Sequence, residues 1–141
     1  MNVGELMTTD VEFIGADATV AEAAATMGDL GVGALPVGSA DDLQGILTDR
    51  DILFRVVAKG LSNAEALVGD VMTTTLFSCR PEDTVSTALN LMGARNVRRL
   101  PVLDGNGRVT GLVTLADLSR VMLLRDDTVQ RAVRELSDGT A

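Results

Sequence analysis

The chain has 141 residues, of which 46% are hydrophobic and 23% charged, so it encodes one folded domain or two very small ones. It has no histidine and one cysteine, which removes the commonest general base and excludes an internal disulfide or a thiolate metal cage. A net charge of −8 argues against non-specific nucleic-acid binding, which depends on Lys and Arg neutralising phosphates.

The N-terminal segment is unlike a targeting sequence. Residues 1–10 contain two acidic side chains, no basic ones and no apolar run. Nowhere does a run of about 18 uncharged apolar residues occur, so the sequence predicts no membrane span. We therefore expect a cytoplasmic protein with neither a nucleic-acid nor a membrane partner.

The first predicted helix begins after Thr19, which forms a capping-box pattern with Glu22. Gly28 lies near its expected end, where a left-handed residue is common. A short Leu-Pro-Val strand, a turn, a second strand over residues 45–48 and a second helix near Asp51 follow. The apolar face of the first helix has the spacing i, i+3, i+4, i+7 and consists of Val20, Ala23, Ala24 and Met27.

The same pattern returns 65 residues later. Residues 3–37 match residues 68–102 at 14 of 35 positions, and after one inserted residue the shift becomes 66. Asp83 and Thr84 precede the second helix, Gly93 lies near its end, and Asp117 opens the last one. Each half is predicted to form a strand, a helix, a hairpin and a helix. At about 50 residues neither half buries its sheet well alone, so we expect the two to pack together. The repeated apolar face consists of Val85, Ala88, Leu89 and Met92.

A linker of roughly residues 54–67 and a tail from residue 120 lie outside the repeats. The tail spacing predicts an amphipathic helix that caps the domain or contacts a partner, formed by Val129, Ala132, Val133 and Leu136 with Arg131 and Arg134 beside them. We divide the chain into a first repeat (1–60), a second repeat (61–120) and a C-terminal helix and tail (121–141).

Four motifs occur twice, in the same order and at the same spacing. They are a Met-Thr opening, a Thr-Val-x-x-Ala helix start, a Val-x-x-Leu-Pro-Val strand and a closing Gly-h-h-Thr-x-x-Asp, where h is hydrophobic. Over about residues 1–120 the chain resembles a tandem pair of CBS domains, the Bateman module. The resemblance implies an α/β (α+β) fold of two pseudo-symmetric β-α-β-β-α repeats packed sheet to sheet, and a flat homodimer of four CBS units.

The resemblance also implies a regulatory ligand that contains adenosine, such as AMP, ADP, ATP, NAD(H) or S-adenosylmethionine, with no required cofactor. The residues of the first closing motif can bind such a ligand. Thr48 and the first amides of the following helix can donate to an anion, and Asp51 can accept both hydroxyls of a ribose. The other interpretation is that Thr48 and Asp51 only cap the helix, for which Thr and Asp are favoured residues. The same pair of residues recurs at Thr114 and Asp117, but a cap would be duplicated as readily as a ligand site.

Basic residues are unevenly distributed. Residues 3–53 carry a charge of −9 with Arg50 as their one basic residue, whereas residues 68–119 sum to zero. The only adjacent basic pair, Arg98 and Arg99, precedes the second Leu-Pro-Val strand. We favour a phosphate-binding role, because arginine forks suit phosphate oxygens. Alternatively, one arginine extends along the surface while the other pairs with an acid across the dimer or across the hairpin.

In CBS pairs, one site combines the Thr-x-x-Asp of one repeat with the residues before Leu-Pro-Val of the other. The resemblance therefore predicts a weaker second site comprising Gly33, Ala34, Thr114 and Asp117. Because Gly33 and Ala34 offer only backbone groups, we expect an uncharged adenosine moiety there rather than several phosphates. The main site is predicted to comprise Thr48, Arg50, Asp51, Phe77, Arg98 and Arg99, with Phe77 near the base.

No catalytic or metal-binding residues are predicted, and Cys79 is expected to be a half-buried strand residue with an unactivated thiol. The sequence therefore favours a stand-alone sensor, not an enzyme, that signals a conformational change to an unidentified effector protein. The alternative is a protein-interaction or structural dimer whose nucleotide sites are vestigial.

Overall fold

The computed structural model describes residues 1–124, 131–132 and 134–136. The described tail residues are helical, and Leu136 is 79% exposed. Two residues of the predicted apolar face in the tail, Val129 and Val133, lie outside the described residues. Within the described residues, no helix is long and apolar enough to cross a membrane.

The two halves contain the same elements in the same order. The first half consists of α1 (Val3–Leu6), α2 (Val20–Leu30), β1 (Ala34–Gly38), β2 (Leu43–Thr48) and α3 (Asp49–Ile52), which continues as a π-helical turn over Leu53–Val57. The second half consists of α4 (Val68–Val71), α5 (Val85–Arg95), β3 (Arg99–Leu103), β4 (Val109–Thr114) and α6 (Leu115–Leu124). The predicted linker thus begins as helix, because Val56 is fully buried in the first core.

Each half forms an antiparallel hairpin, with β1 paired to β2 and β3 paired to β4. The opening strand predicted for each repeat is reduced to a single parallel bridge, between Ile14 and Val37 in one repeat and between Cys79 and Val102 in the other. A turn begins two residues after each bridge, so the chain leaves the sheet before a longer strand can form.

The helix starts at Thr19 and Thr84 are confirmed, and Gly28 and Gly93 lie near the helix ends, but neither is the left-handed residue. The Thr19 hydroxyl accepts from the Glu22 amide at 3.2 Å, and the Glu22 carboxylate accepts from the Thr19 amide at 3.3 Å. The left-handed residues are Gly31 and Asn96, with φ of 67° and 53°. Gly28 and Gly93 lie inside the helices, because each helix continues for nearly one turn beyond its buried methionine.

The opening segment of each repeat packs into the core of the other repeat. Val3 of α1 is fully buried with Val85, Leu100 and Leu118, which all belong to the second repeat. Val68 of α4 is fully buried in the core of the first repeat. Backbone hydrogen bonds also join each segment to the opposite repeat. The amide of Val3 donates to the backbone carbonyl of Asp83, and the amide of Val68 donates to that of Ala18.

The exchange continues into the sheets. Thr8 pairs with Leu112 in β4, and Thr73 pairs with Ile46 in β2, so each hairpin gains a short stretch of chain from the opposite repeat. The glycine that begins each Gly-h-h-Thr motif lies beneath this contact. A Cβ atom on Gly45 would lie 2.7 Å from the Thr73 carbonyl oxygen, and one on Gly111 would lie 2.9 Å from that of Thr8.

Cys79 is more deeply buried than the sequence predicts, at 5% exposure within the second core. Burial raises the pKa of its thiol from 9.0 to about 11, and the nearby carboxylate of Asp83 adds to the shift. The folded chain therefore holds this proton more tightly than the unfolded chain does. Its contribution to stability is complete below pH 9 and is lost as the pH rises through about 11.

The close contact at Gly45 predicts that Gly45→Ala lowers the free energy of unfolding by about 1–3 kcal/mol, since backbone must move to admit the methyl group. Gly28→Ala is the matched control, because nothing lies within 4 Å of its Cβ position inside α2. It should stabilise the chain by about 0.5–1 kcal/mol. Urea unfolding measures both changes, and a Gly45→Ala variant as stable as the wild type would contradict the contact.

The raised pKa of Cys79 predicts that, at pH 9, iodoacetamide alkylates the native thiol at least tenfold more slowly than the thiol of the chain unfolded in guanidinium, because reaction requires an accessible thiolate. A Ser78→Cys variant in the Cys79→Ala background is the control, since position 78 is exposed and should react rapidly in the native state. Equal rates for native and unfolded wild type, followed by mass spectrometry, would show that the thiol is not protected.

Candidate functional site

Two cavities lie between the repeats, and both are lined by residues of both halves. We call the cavity of about 610 Å³ beside Thr48 cavity A, and the cavity of about 890 Å³ beside Thr114 cavity B. Many lining positions correspond under the duplication, as Thr48 does with Thr114 and Thr73 with Thr8. The cavities are therefore two copies of one site whose side chains differ.

Cavity A brings together five of the six residues predicted for the main site, namely Thr48, Arg50, Phe77, Arg98 and Arg99. Asp51 is not among its lining residues. Several polar residues that the sequence analysis did not select also line it, among them Thr73 and Asn96. The repeated Met-Thr opening, which includes Thr73, is the one signal for this residue in the sequence.

The end of β2 is held by a reciprocal cap between Thr48 and Asp51. The Thr48 hydroxyl accepts from the Asp51 amide at 3.1 Å, and the Asp51 carboxylate accepts from the Thr48 amide at 3.0 Å. The hydroxyl of Thr73 also donates to that carboxylate at 3.1 Å, and Asp51 is only 7% exposed. The capping interpretation is thus present in the structure, and direct contact between Asp51 and a ribose stays a prediction. Because the Thr48 hydroxyl oxygen accepts in this cap, its proton can still donate to a ligand.

Arg55 links this cap to α4, and no motif in the sequence pointed to it. Its Nε lies 3.7 Å from Oδ1 of Asp51. Its Nη1 donates to the carbonyls of Val71 and Met72, each at 3.0 Å, where the last carbonyls of α4 lack helical partners. The wall of cavity A at Thr48 and Thr73 is therefore tied to the exchanged segment of the second repeat.

The positive charge of cavity A comes from three arginines that oppose one acid, Asp49. Arg98 is exposed and Arg99 is half-buried. Among the described residues, neither forms an ion pair, so pairing with an acid across the hairpin is not seen there, and pairing across a dimer stays a prediction. The guanidinium of Arg50 lies 5.2 Å from the Phe54 ring centroid.

Phe77 is half-buried and packs against the second core while lining cavity A. The guanidinium of Arg95 lies over its ring, 5.0 Å from the centroid. A cation over an aromatic face fixes the orientation of the ring. Phe77 can thus present an apolar surface to a ligand.

Cavity B contains all the residues predicted for the second site, namely Gly33, Ala34, Thr114 and Asp117. The structure adds Arg98 and Arg99, which border this cavity as well as cavity A. It also adds Asp10 and Glu12, which take the positions of Thr75 and Phe77 in the duplication.

The acids of cavity B outnumber its arginines by three to two. The Asp117 amide donates to the Thr114 hydroxyl at 3.1 Å, and Arg120 lies 2.7 Å from the Asp117 carboxylate. Within the described part of the chain, no group of three or more His, Cys, Asp or Glu side chains could hold a metal ion.

The chain is similar in sequence to known proteins. The chain is 41% identical to the CBS domain-containing protein YhcV of Bacillus subtilis over 118 residues, which cover 84% of this chain and 83% of that protein.

Solved structures show the same architecture. A protein with CBS domains from Burkholderia ambifaria is 27% identical, with a TM-score of 0.84 over 90% of this chain and 97% of that one. The CBS domain pair of protein MJ0100, solved with 5-methylthioadenosine and S-adenosyl-L-methionine, is 23% identical, with a TM-score of 0.80 over 89% of this chain and 98% of that one. At that identity the second likeness shows the fold alone.

The sequence profile of the CBS domain matches this chain twice, over residues 3–58 and 68–124. The two matches follow the two copies of the elements described above, and together they cover most of the chain. The chain therefore belongs to the CBS domain family and carries two CBS domains in tandem.

Proposed function

We propose that this chain is a regulatory module that binds a phosphate-bearing adenosine ligand, of the class of AMP, ADP, ATP or NAD(H), in cavity A. The observation that carries the proposal is the group of three arginines beside Thr48, opposed by one aspartate in a chain of net charge −8. An acidic protein attracts a phosphate only where cations are concentrated, and guanidinium forks bind phosphate oxygens in pairs.

The remaining groups of cavity A fit the rest of such a ligand. A volume of about 610 Å³ lies within the range of small-molecule sites. Phe77 offers an apolar face to the base, and the Thr48 hydroxyl donates toward the ribose or phosphate. The CBS domain pair of MJ0100, which shares the fold, was solved with two adenosyl ligands.

The proposed signal is a change in the relative position of the repeats. The ligand would contact Thr48 and Arg50 from the first repeat and Phe77 and Arg99 from the second, so its affinity depends on how the two are placed. A ligand shifts a conformational equilibrium only by its difference in affinity for the two states. An effector protein would recognise the favoured state.

The proposal is tested by calorimetric titration with ATP, AMP, NADH and S-adenosylmethionine, and with adenosine for comparison. Replacing Arg98 and Arg99 together by Ala should weaken ATP binding by at least tenfold and leave adenosine affinity nearly unchanged, because only ATP carries phosphates. Arg80→Ala is the control, since Arg80 pairs with Glu82 and does not line cavity A. If none of these ligands binds below millimolar concentration, the alternative of an interaction dimer with vestigial sites is supported instead.

We further propose that the chain forms a homodimer through the π-helical turn. Leu53, Phe54 and Val57 are exposed by 52%, 51% and 61%. Burying a large apolar side chain contributes about 1.5–3 kcal/mol, so three neighbouring ones favour association. A second copy suits this surface, because a two-fold axis brings the same patch from each chain together.

In sedimentation velocity, the wild type should be a dimer, and a Phe54→Ser, Val57→Ser double variant should be monomeric at the same concentration. Leu30→Ser is the control, because Leu30 is 46% exposed and belongs to the end of α2 rather than to this turn. A double variant that remains dimeric would place the interface elsewhere, and a monomeric wild type would contradict the dimer itself.

A further inference from the structure

The two cavities differ in the number of arginines that border them. Arg98 and Arg99 border both cavities, while Arg50 lines cavity A alone. The position equivalent to Arg50 in the duplication is Ala116, so cavity B has no arginine of its own. The acids unique to cavity B are Asp10, Glu12 and Asp117, whereas Asp49 is the one acid unique to cavity A. Without the shared pair, the side chains of cavity A sum to zero and those of cavity B to −3.

The position of Arg99 shows how one side chain can serve both cavities. Arg99 begins β3 opposite Thr114 of cavity B. Its guanidinium reaches the first repeat, where Nη2 lies 2.9 Å from the place a Cβ atom would occupy on Gly33. Oδ2 of Asp49, which lines cavity A, lies 3.1 Å from the same place. The missing side chain at Gly33 thus leaves a space at the boundary of the cavities, and the end of Arg99 occupies it.

We infer that the two cavities compete for the Arg98–Arg99 pair, so that a chain holds a phosphate-bearing ligand in one of them at a time. A phosphate in cavity A binds the shared guanidinium groups and leaves Asp10 and Glu12 of cavity B without them, while Asp117 keeps Arg120 beside it. A second phosphate there would meet repulsion instead of attraction. An adenosine derivative without phosphate does not need the arginines and can fill cavity B while ATP occupies cavity A. This inference rests on the proposed function of cavity A.

Equilibrium dialysis with ATP and with adenosine tests the competition. In the wild type we expect one ATP per chain, with a second bound at least tenfold more weakly, and we expect adenosine to bind to the ATP-saturated chain. Two ATP molecules bound with equal affinity would overturn the inference and leave the proposed function standing. No ATP binding at all would overturn the proposed function, and the inference with it.

A variant that adds an arginine to cavity B tests whether the shared arginines limit the chain to one ATP. Position 33 corresponds to Arg98 in the duplication, and the atoms nearest to its Cβ position are the side-chain ends of Arg99 and Asp49, which can shift. Gly33→Arg should therefore raise the capacity to two ATP per chain. Gly28→Arg is the matched control, because it adds the same charge in open space on α2 and should leave the capacity at one.

A second variant keeps the test decisive if Gly33→Arg disturbs folding, which an unfolding curve would reveal. Glu12→Gln removes one acid from cavity B without adding bulk. It should raise the affinity for the second ATP by at least threefold and leave the affinity for the first ATP unchanged. If a folded Gly33→Arg still binds one ATP and Glu12→Gln leaves the second affinity unaltered, competition for the arginines is refuted.

Discussion

Each repeat completes the hydrophobic core of the other, and the rest of the structure depends on that exchange. α1 buries Val3 among side chains of the second repeat, and α4 buries Val68 among those of the first. A glycine beneath each crossing lets the exchanged backbone lie directly against a strand. Because the segments cross in both directions, the repeats are held side by side and the cavities between them acquire defined walls.

The exchange also explains how the candidate site is supported. Thr73 belongs to the exchanged segment, yet its hydroxyl donates to the buried carboxylate of Asp51 in the first repeat. Arg55 binds the same carboxylate and the end of α4. A movement of the second repeat relative to the first would therefore be transmitted to Thr48, which caps α3 at the edge of cavity A.

Local features were predictable from the residues themselves. The capping box at Thr19 and the two hairpins follow from residues a few positions apart. The grouping of five main-site residues from both repeats was predictable only through the family resemblance, and the other long-range contacts were not predicted. The exchange of opening segments leaves no periodic signal, because Val3 is apolar whichever core it enters. The contact of Arg99 with Gly33 and that of Thr73 with Asp51 join residues far apart in the sequence, so no local pattern predicts them. No motif pointed to the contact of Arg55 with Asp51 either.

Duplication gives the two cavities similar backbones, and their side chains make them chemically different. Phe77 and Arg50 in cavity A correspond to Glu12 and Ala116 in cavity B, so an apolar and a basic group are replaced by an acidic and a neutral one. A fold that repeats its geometry can in this way offer two ligands of different charge.

The exchanged segments impose an order on folding during synthesis. The first core contains Val68 and Val71, so it cannot close when the ribosome has made only residues 1–60. Residues 3–8 are made before the rest of the module, but α1 and Thr8 have no partner until the second repeat, including β4 at residues 109–114, has emerged. Residues 3–8 thus wait unpaired while the remainder of the module is translated, and the last contacts to form involve the earliest part of the module.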